Sequence, residues 1–157
     1  MTAPKTRDEV LEMLRSQRTA MVTTLDGDQL VSRPMAPMHV DDDGTLWFFT
    51  EADSDKADQV ESIPHVNVSF SHGDYLSVSG TGQVVQDVEQ QKALWNKAVE
   101  SWLQCEPDDP MVRLLKVQPS TIAYWSTPNT VATLLGMAKA VVTDEQPDLG
   151  DSGVVNV

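Results

Sequence analysis

The stretch that decides the fold is Tyr75-Leu76-Ser77-Val78-Ser79-Gly80-Thr81-Gly82-Gln83-Val84-Val85, which follows a Gly73-Asp74 turn. Apolar or small residues alternate in it with serine and threonine, which is the period-two pattern of a half-buried β-strand. The two glycines allow the strand to bend sharply or to approach another backbone closely. The stretch therefore predicts a long strand that turns a corner in a barrel.

Five further stretches have the composition of strands. They are residues 19–25, 29–35 (interrupted by Pro34), 46–50, 65–71 and 117–125, the last entered at Pro119. Residues 46–50 are almost continuously apolar, which predicts a buried strand. The hairpin-like spacing, with helices inserted, favours antiparallel pairing over βαβ units. The chain is therefore predicted to be an α+β protein, mainly antiparallel β, with six strands in a barrel.

Helices are predicted to flank these strands. Thr6-Arg7-Asp8-Glu9 is a capping box before a helix over residues 7–16, and Asp53 and Ser54 can cap a short helix that runs through Val60. Two more predicted helices are one that begins at Asp87 with Gln90 and carries Val88, Trp95, Val99 and Trp102 on one face, and one over residues 131–142. Residues 1–142 are predicted to be a single domain, and residues 143–157 a flexible acidic tail.

Composition and charge exclude several classes of function. The chain has 157 residues, with 11 Lys and Arg against 24 Asp and Glu, for a net charge of −13. Nucleic acid and anionic membranes need basic surface, so neither is an expected partner. No apolar run approaches the roughly 18 residues of a membrane span, and no secretory signal core precedes the first helix, so a cytoplasmic location is predicted. The single cysteine, Cys105, and the three scattered histidines predict neither a disulfide nor a metal site.

Positive charge is the most informative feature of the central region. Between Thr19 and Gln91 the only basic side chains are Arg33 and Lys56, among thirteen carboxylates. Arg33 precedes Pro34 in a strand, and its planar fork can grip a phosphate with two hydrogen bonds. Lys56 lies in the first turn of a predicted helix, where free N–H groups and the Ser54 hydroxyl could assist. Surface ion pairs are the competing interpretation, because spacing alone does not bring the two cations together.

A set of short motifs carries a resemblance to a known family. In chain order they are Ser32-Arg33-Pro34-Met35, Trp47-Phe48-Phe49-Thr50, Ser54-Asp55-Lys56, Val66-Asn67-Val68-Ser69-Phe70, Tyr75-Leu76-Ser77-Val78-Ser79-Gly80, Leu94-Trp95-Asn96, Asp108-Asp109-Pro110 and Tyr124-Trp125. Together, over residues 7–142, they resemble the pyridoxamine 5'-phosphate oxidase-like FMN-binding split barrels, and in particular the general stress protein 26 branch.

The resemblance implies a fold, a cofactor and a set of binding residues. It implies a six-stranded split β-barrel that forms a homodimer, with flavin mononucleotide (FMN) at the subunit interface. Arg33 and Lys56 would hold the FMN phosphate, helped by Ser54 and Thr50. The segments that would run along the flavin contain Pro34, Met35, Phe49 and Thr50, with Trp95 or Trp125 completing the pocket.

One departure from the family limits the activity expected. The true oxidase uses a basic C-terminal segment to hold pyridoxamine phosphate, whereas this chain has no arginine after Trp125 and only one lysine, Lys139. The resemblance thus implies a flavoprotein and a candidate oxidoreductase of unknown substrate, with no catalytic acid or base identified. The alternatives are a non-catalytic flavin-binding sensor and a structural stress-protein dimer without cofactor. Deazaflavin or haem in place of FMN is a further alternative.

Overall fold

The computed structural model of the chain describes residues 3–128, 130–143 and 150–157. Within these residues there are five helices: α1 (Arg7–Arg15), α2 (Asp55–Ser62), α3 (Val88–Leu94), α4 (Lys97–Leu103) and α5 (Thr130–Thr143). The strands are β1 (Ala20–Asp26), β2 (Gln29–Met35), β3 (His39–Val40), β4 (Leu46–Glu51), β5 (His65–His72), β6 (Asp74–Val85), β7 (Val112–Ser126) and β8 (Asp151–Asn156).

The strands form one antiparallel sheet in the order β2-β1-β5-β6-β7-β4-β3, and β8 pairs with the far half of β7. Its inward side chains, among them Val22, Val68, Val78 and Phe48, come from four different strands and pack in one buried cluster. The sheet therefore curls around its core. Its two ends, β2 and β3, are not hydrogen-bonded to each other in this order, so the barrel stays split between them. The predicted α+β split barrel is confirmed, and β3 and β8 are strands that the sequence did not indicate.

The corner predicted from the glycines lies where β6 crosses β7. The register between the two strands shifts between Ser79 and Gly80, and Gly80 lies opposite Pro119. A Cβ atom at Gly80 would overlap the carbonyl oxygen of Gln118. Only glycine therefore permits this close approach. Strand β7 begins at Val112 and continues through Pro119, where the sequence had predicted its entry.

Helix boundaries follow the capping residues. The capping box of Thr6 and Glu9 opens α1, and Ser54 caps α2, as predicted. The prediction of a single helix from Asp87 onward is wrong. The first helix, α3, ends with Trp95 as its C-cap, and Asn96 then caps a second helix, α4. This break also changes the predicted apolar face, since Trp102 is 62% exposed.

The C-terminal part differs from its prediction. Residues 151–156 were expected to be loose, but they form β8, which pairs with residues 121–126 of β7. No side chain of β8 is fully buried, and alternate ones are half-buried. The strand is therefore held mainly by its backbone hydrogen bonds to β7. The helix predicted over residues 131–142 is present as α5, while residues 144–149 of the predicted tail lie outside the described residues.

Candidate functional site

A cavity of about 770 Å³ opens at the split side of the barrel. Its walls come from β2, the link between β2 and β3, β4, α2 and α4, together with one residue before β1. The lining residues are Arg18, Arg33, Pro34, Met35, Ala36, Pro37, Met38, Phe49, Lys56, Asn96, Ala98, Val99 and Trp102. Its described lining holds three cations and no carboxylate, in a chain that has more than twice as many acids as bases.

Arg33 is held firmly at the edge of the sheet. β2 is the end strand of the sheet order, so Pro34 lies within it without interrupting it, contrary to the sequence-based expectation. The Nη1 group of Arg33 donates to Thr24 Oγ1 at 2.7 Å and to the Val22 carbonyl oxygen at 3.3 Å. Its Nη2 group donates to Gln59 Oε1 at 2.8 Å. These three bonds fix the plane of the guanidinium.

The same bonds leave one side of the guanidinium available. An arginine has five N–H donors, and the three that bond to Thr24, Val22 and Gln59 come from Nη1 and one hydrogen of Nη2. The Nε–H and the second Nη2–H have no acceptor among the described residues. These two donors are parallel, the arrangement that grips a phosphate or carboxylate with two hydrogen bonds.

Lys56 lies in the first turn of α2, close enough to Arg33 for their charges to interact. Burial lowers the pKa of Lys56, and the positive charge of Arg33 lowers this pKa further, while Glu51 and Asp55 act in the opposite direction. Burial also lowers the pKa of Arg33, with Asp55 opposing. Neither cation forms an ion pair with a described carboxylate. The structure thus brings together the two residues that spacing could not connect.

Ser54 and Thr50 are adjacent to the cations but are occupied by their own structure. Ser54 Oγ accepts from the Ala57 N–H at 3.4 Å and donates to the Glu51 carbonyl oxygen at 2.8 Å. The hydroxyl oxygens of Thr50 and Ser54 are 2.9 Å apart, and Thr50 is fully buried. Neither residue lines the cavity, so their predicted role in phosphate binding stays a prediction.

The two tryptophans predicted to complete the site lie in different places. Trp95 packs edge-to-face on Phe49, with ring centroids 5.2 Å apart, so it supports a wall residue from behind. Trp125 is half-exposed on β7 and lines a separate cavity on the outer face of the sheet. Of the nine residues predicted for the cofactor, five line the cation-bearing cavity: Arg33, Pro34, Met35, Phe49 and Lys56.

Two contributing residues were missed by the sequence reasoning. Gln59 accepts hydrogen bonds from both Thr24 and Arg33, and its neutral side chain gave no charge signal. Arg18 immediately precedes Thr19, and so lies one residue outside the acid-rich stretch in which Arg33 and Lys56 stand out. No group of three or more potential metal ligands occurs among the described side chains. No helix in the described part of the chain is both long and apolar enough to span a bilayer.

The fold and the site define a small split antiparallel β-barrel protein whose largely apolar cleft carries the neighbouring cations Arg33 and Lys56. The chain belongs to the pyridoxamine 5'-phosphate oxidase-like family, whose pattern matches residues 5–148. This match covers nearly the whole chain, including every element that lines the cavity.

Known relatives agree with this family membership. Protein bli-3 of Neurospora crassa is 31% identical over 151 residues, which cover 87% of this chain and 72% of the relative. A solved structure from Jannaschia sp. CCS1, assigned to general stress protein 26, has a TM-score of 0.80 and 30% identity over 96% of this chain and 97% of the other. The general stress FMN/FAD binding protein of Xanthomonas citri has a TM-score of 0.68 and 28% identity, covering 79% of this chain and 90% of the other.

Proposed function

We propose that the chain is a cytoplasmic flavoprotein that binds FMN in the cation-bearing cavity and belongs functionally with the general stress protein 26 branch. One observation carries the proposal: Arg33 and Lys56 converge on an apolar-walled cavity without a carboxylate partner among the described residues. Two partly buried like charges repel each other, so a dianionic phosphate between them removes an unfavourable interaction.

The residues present fit the parts of FMN. The free Nε–H and Nη2–H of Arg33 suit two phosphate oxygens, and the Lys56 ammonium suits a third. Pro34, Met35 and Phe49 provide flat or polarisable apolar surface for a ring system. A volume of about 770 Å³ also lies within the usual range for cofactor sites.

We infer that any reaction is a redox reaction in which bound FMN supplies the electron-transfer chemistry. The described lining contains no carboxylate, histidine or thiol that could act as an acid or base. The protein would therefore contribute binding, orientation and exclusion of water. We do not propose oxidation of pyridoxamine phosphate, because residues 126–157 contain one lysine and no arginine with which to hold its phosphate. A flavin-binding sensor without turnover is the alternative that the same lining supports.

We further propose a homodimer built on the outer face of the sheet. Strand register aligns rows of outward residues across β1, β5, β6, β7 and β8. The residues between them are buried on β1, β5, β6 and β7 and half-buried on β8. The outward residues, called here the uncharged face, are Met21, Thr23, Asn67, Ser69, Ser71, Tyr75, Ser77, Ser79, Thr121, Ala123, Trp125, Ser152, Val154 and Asn156. None is charged, and depletion of charge is typical of the centre of a protein interface.

The proposal is tested by titrating the purified protein with FMN and following the quenching of flavin fluorescence. Arg33→Gln and Lys56→Gln should each weaken binding at least about tenfold, since each removes a charged hydrogen-bond donor. Lys97→Gln, at an exposed position on α4, is the matched control and should bind like the original protein. Undiminished binding in both cavity variants would refute the assignment of the phosphate site. Bleaching of bound FMN by NADPH, with steady turnover, would separate an oxidoreductase from a sensor.

A further inference from the structure

Arg18 is the third cation that lines the cation-bearing cavity, and the proposed phosphate site does not use it. The residue precedes β1 and is exposed. Its guanidinium forms no hydrogen bond or ion pair with any described residue. No carboxylate occurs in the described lining of the cavity, so the charge of Arg18 is available to a bound group.

Arg18 is separated from the proposed phosphate site along the direction of β1. Arg33 is the register partner of Val22. Arg18 lies four residues before Val22, a span of up to about 14 Å of chain. Burial and the positive charge of Arg33 lower the pKa of Lys56, and Arg18 has no part in this shift. The cavity thus has two cations towards one end and a single cation towards the other.

This spacing matches the way in which FMN is built, with its phosphate and its ring system at opposite ends of the ribityl chain. With the phosphate between Arg33 and Lys56, the ring would lie further along the cavity, against the wall that includes Met35. Met35 is the last residue of β2 and the register partner of Ala20, which is two residues from Arg18. Arg18 would therefore lie beside the ring and not beside the phosphate.

Reduction changes the charge of a flavin ring. A hydride from a reduced nicotinamide brings two electrons and one proton to N5 of the neutral oxidised ring, and the nicotinamide leaves in its oxidised, positively charged form. The reduced ring then carries one negative charge, shared by N1 and the oxygen on C2. A nearby guanidinium without a protein acceptor gains the stronger, charged hydrogen bond only in the reduced state.

On the basis of the proposed FMN function, we propose that Arg18 lies at the N1 and C2 edge of the bound flavin and raises its reduction potential. The reduced form would then bind more tightly than the oxidised form. One charged hydrogen bond corresponds to about tenfold in affinity. A tenfold difference in affinity between the two forms shifts the potential of a two-electron couple by about 30 mV. Arg18 would thus set how readily the flavin accepts a hydride, while the other two cations hold the cofactor in place.

The test measures the midpoint potential of FMN bound to the protein, by reduction beside a reference dye, and the dissociation constant of oxidised FMN by fluorescence quenching. Arg18→Gln should lower the potential by about 30 mV, which is a tenfold loss of affinity for reduced FMN. Its affinity for oxidised FMN should stay nearly unchanged, because the oxidised ring is neutral. Arg18→Lys keeps the charge and should retain part of the effect on the potential.

Two matched variants serve as controls, both measured at saturating FMN. Arg33→Gln makes the same change at the phosphate end of the cavity. It should weaken oxidised and reduced FMN alike and so leave the potential unchanged, because reduction does not alter the phosphate. Arg7→Gln removes an arginine outside the cavity and should alter neither the potential nor the affinity.

Three results would overturn the inference while FMN binding itself stands. They are an unchanged potential in Arg18→Gln, an equal loss of affinity for the oxidised and reduced forms in that variant, and an equal fall in potential in Arg7→Gln. The second result would mean that Arg18 holds the phosphate, and the third that only the net charge of the protein matters. Failure of the original protein to bind FMN at all would overturn the proposed function and this inference together.

Discussion

Arg33 and Gln59 are joined by a hydrogen bond of 2.8 Å from Nη2 to Oε1, which links the edge strand β2 to the helix α2. Gln59 also accepts from Thr24 at 2.6 Å, and Arg33 donates to the same threonine. The three side chains form a closed set of hydrogen bonds. A neutral amide at this position orients the guanidinium without cancelling its charge.

Replacing Gln59 by glutamate should therefore weaken FMN binding. The new carboxylate would form an ion pair with Arg33 and compete with the phosphate, so we expect the dissociation constant to rise about tenfold. Gln83→Glu adds the same charge at an exposed position on β6 and should change FMN binding little. Fluorescence titration at constant salt measures both. Equal effects of the two substitutions would mean that only the net charge matters.

Replacing Lys56 by methionine should raise the thermal stability of the FMN-free protein while it abolishes tight FMN binding. The substitution removes a partly buried charge that Arg33 repels, and it keeps the apolar stem of the side chain. We expect the melting temperature to rise by roughly 1–3 °C. Lys92→Met, at an exposed position on α3, should give no rise. A lower melting temperature for Lys56→Met, measured by calorimetry without FMN, would contradict this account.

The pKa of Lys56 also predicts a pH dependence. This pKa lies below the ordinary lysine value of 10.5 in the folded protein, so the unfolded chain binds more protons just below pH 10.5. The free energy of unfolding contributed by Lys56 therefore rises with pH through that window. FMN affinity should fall over the same range, because the ammonium that contacts the phosphate is lost. Lys56→Arg should keep its charge and move the fall in affinity to higher pH, with the titration of free flavin common to both proteins.

The proposed dimer predicts a specific effect of charge on the uncharged face. Val154 on β8 is 66% exposed in the single chain, and Val154→Asp would place a carboxylate inside the interface. We expect this variant to be largely monomeric in analytical ultracentrifugation at micromolar concentration. Val141→Asp makes the same change at an 88% exposed position on α5, outside the uncharged face, and should stay dimeric. A dimeric Val154→Asp variant together with a monomeric Val141→Asp variant would instead indicate that the interface lies at α5.

Much of the fold could be predicted from short-range patterns. The period-two alternation located β1, β2, β5 and β6 to within about one residue, and the glycines of β6 indicated the corner at Gly80. The break at Trp95 was missed because the apolar spacing continues across it, and only the cap at Asn96 separates α3 from α4. The strand β8 was missed because its order comes from hydrogen bonds to β7, a partner more than twenty residues away in the sequence.

The candidate site was predictable where charge marked it and not elsewhere. Arg33 and Lys56 stood out among acids, but their proximity depends on how α2 packs on β1, which a sequence pattern does not specify. Gln59 carries no charge, and its role appears only when its two donors are known. Trp125 was predicted for the same pocket as Arg33, yet its neighbours within the single chain place it at the separate cavity on the outer face of the sheet.

The pairing of β8 has a consequence for how the protein behaves when it is shortened. One edge of β7 is covered by β4 over residues 112–117 and by β8 over residues 121–126, and the Val157 N–H donates to the Ser120 carbonyl oxygen between them. Without residues 151–157, the backbone donors and acceptors of half this edge would be bare. A bare, uncharged edge next to Trp125 is a template for indiscriminate strand addition. A chain shortened at residue 150 should therefore precipitate on warming. The cause would be the exposed edge of β7, because the hydrophobic core would remain in place.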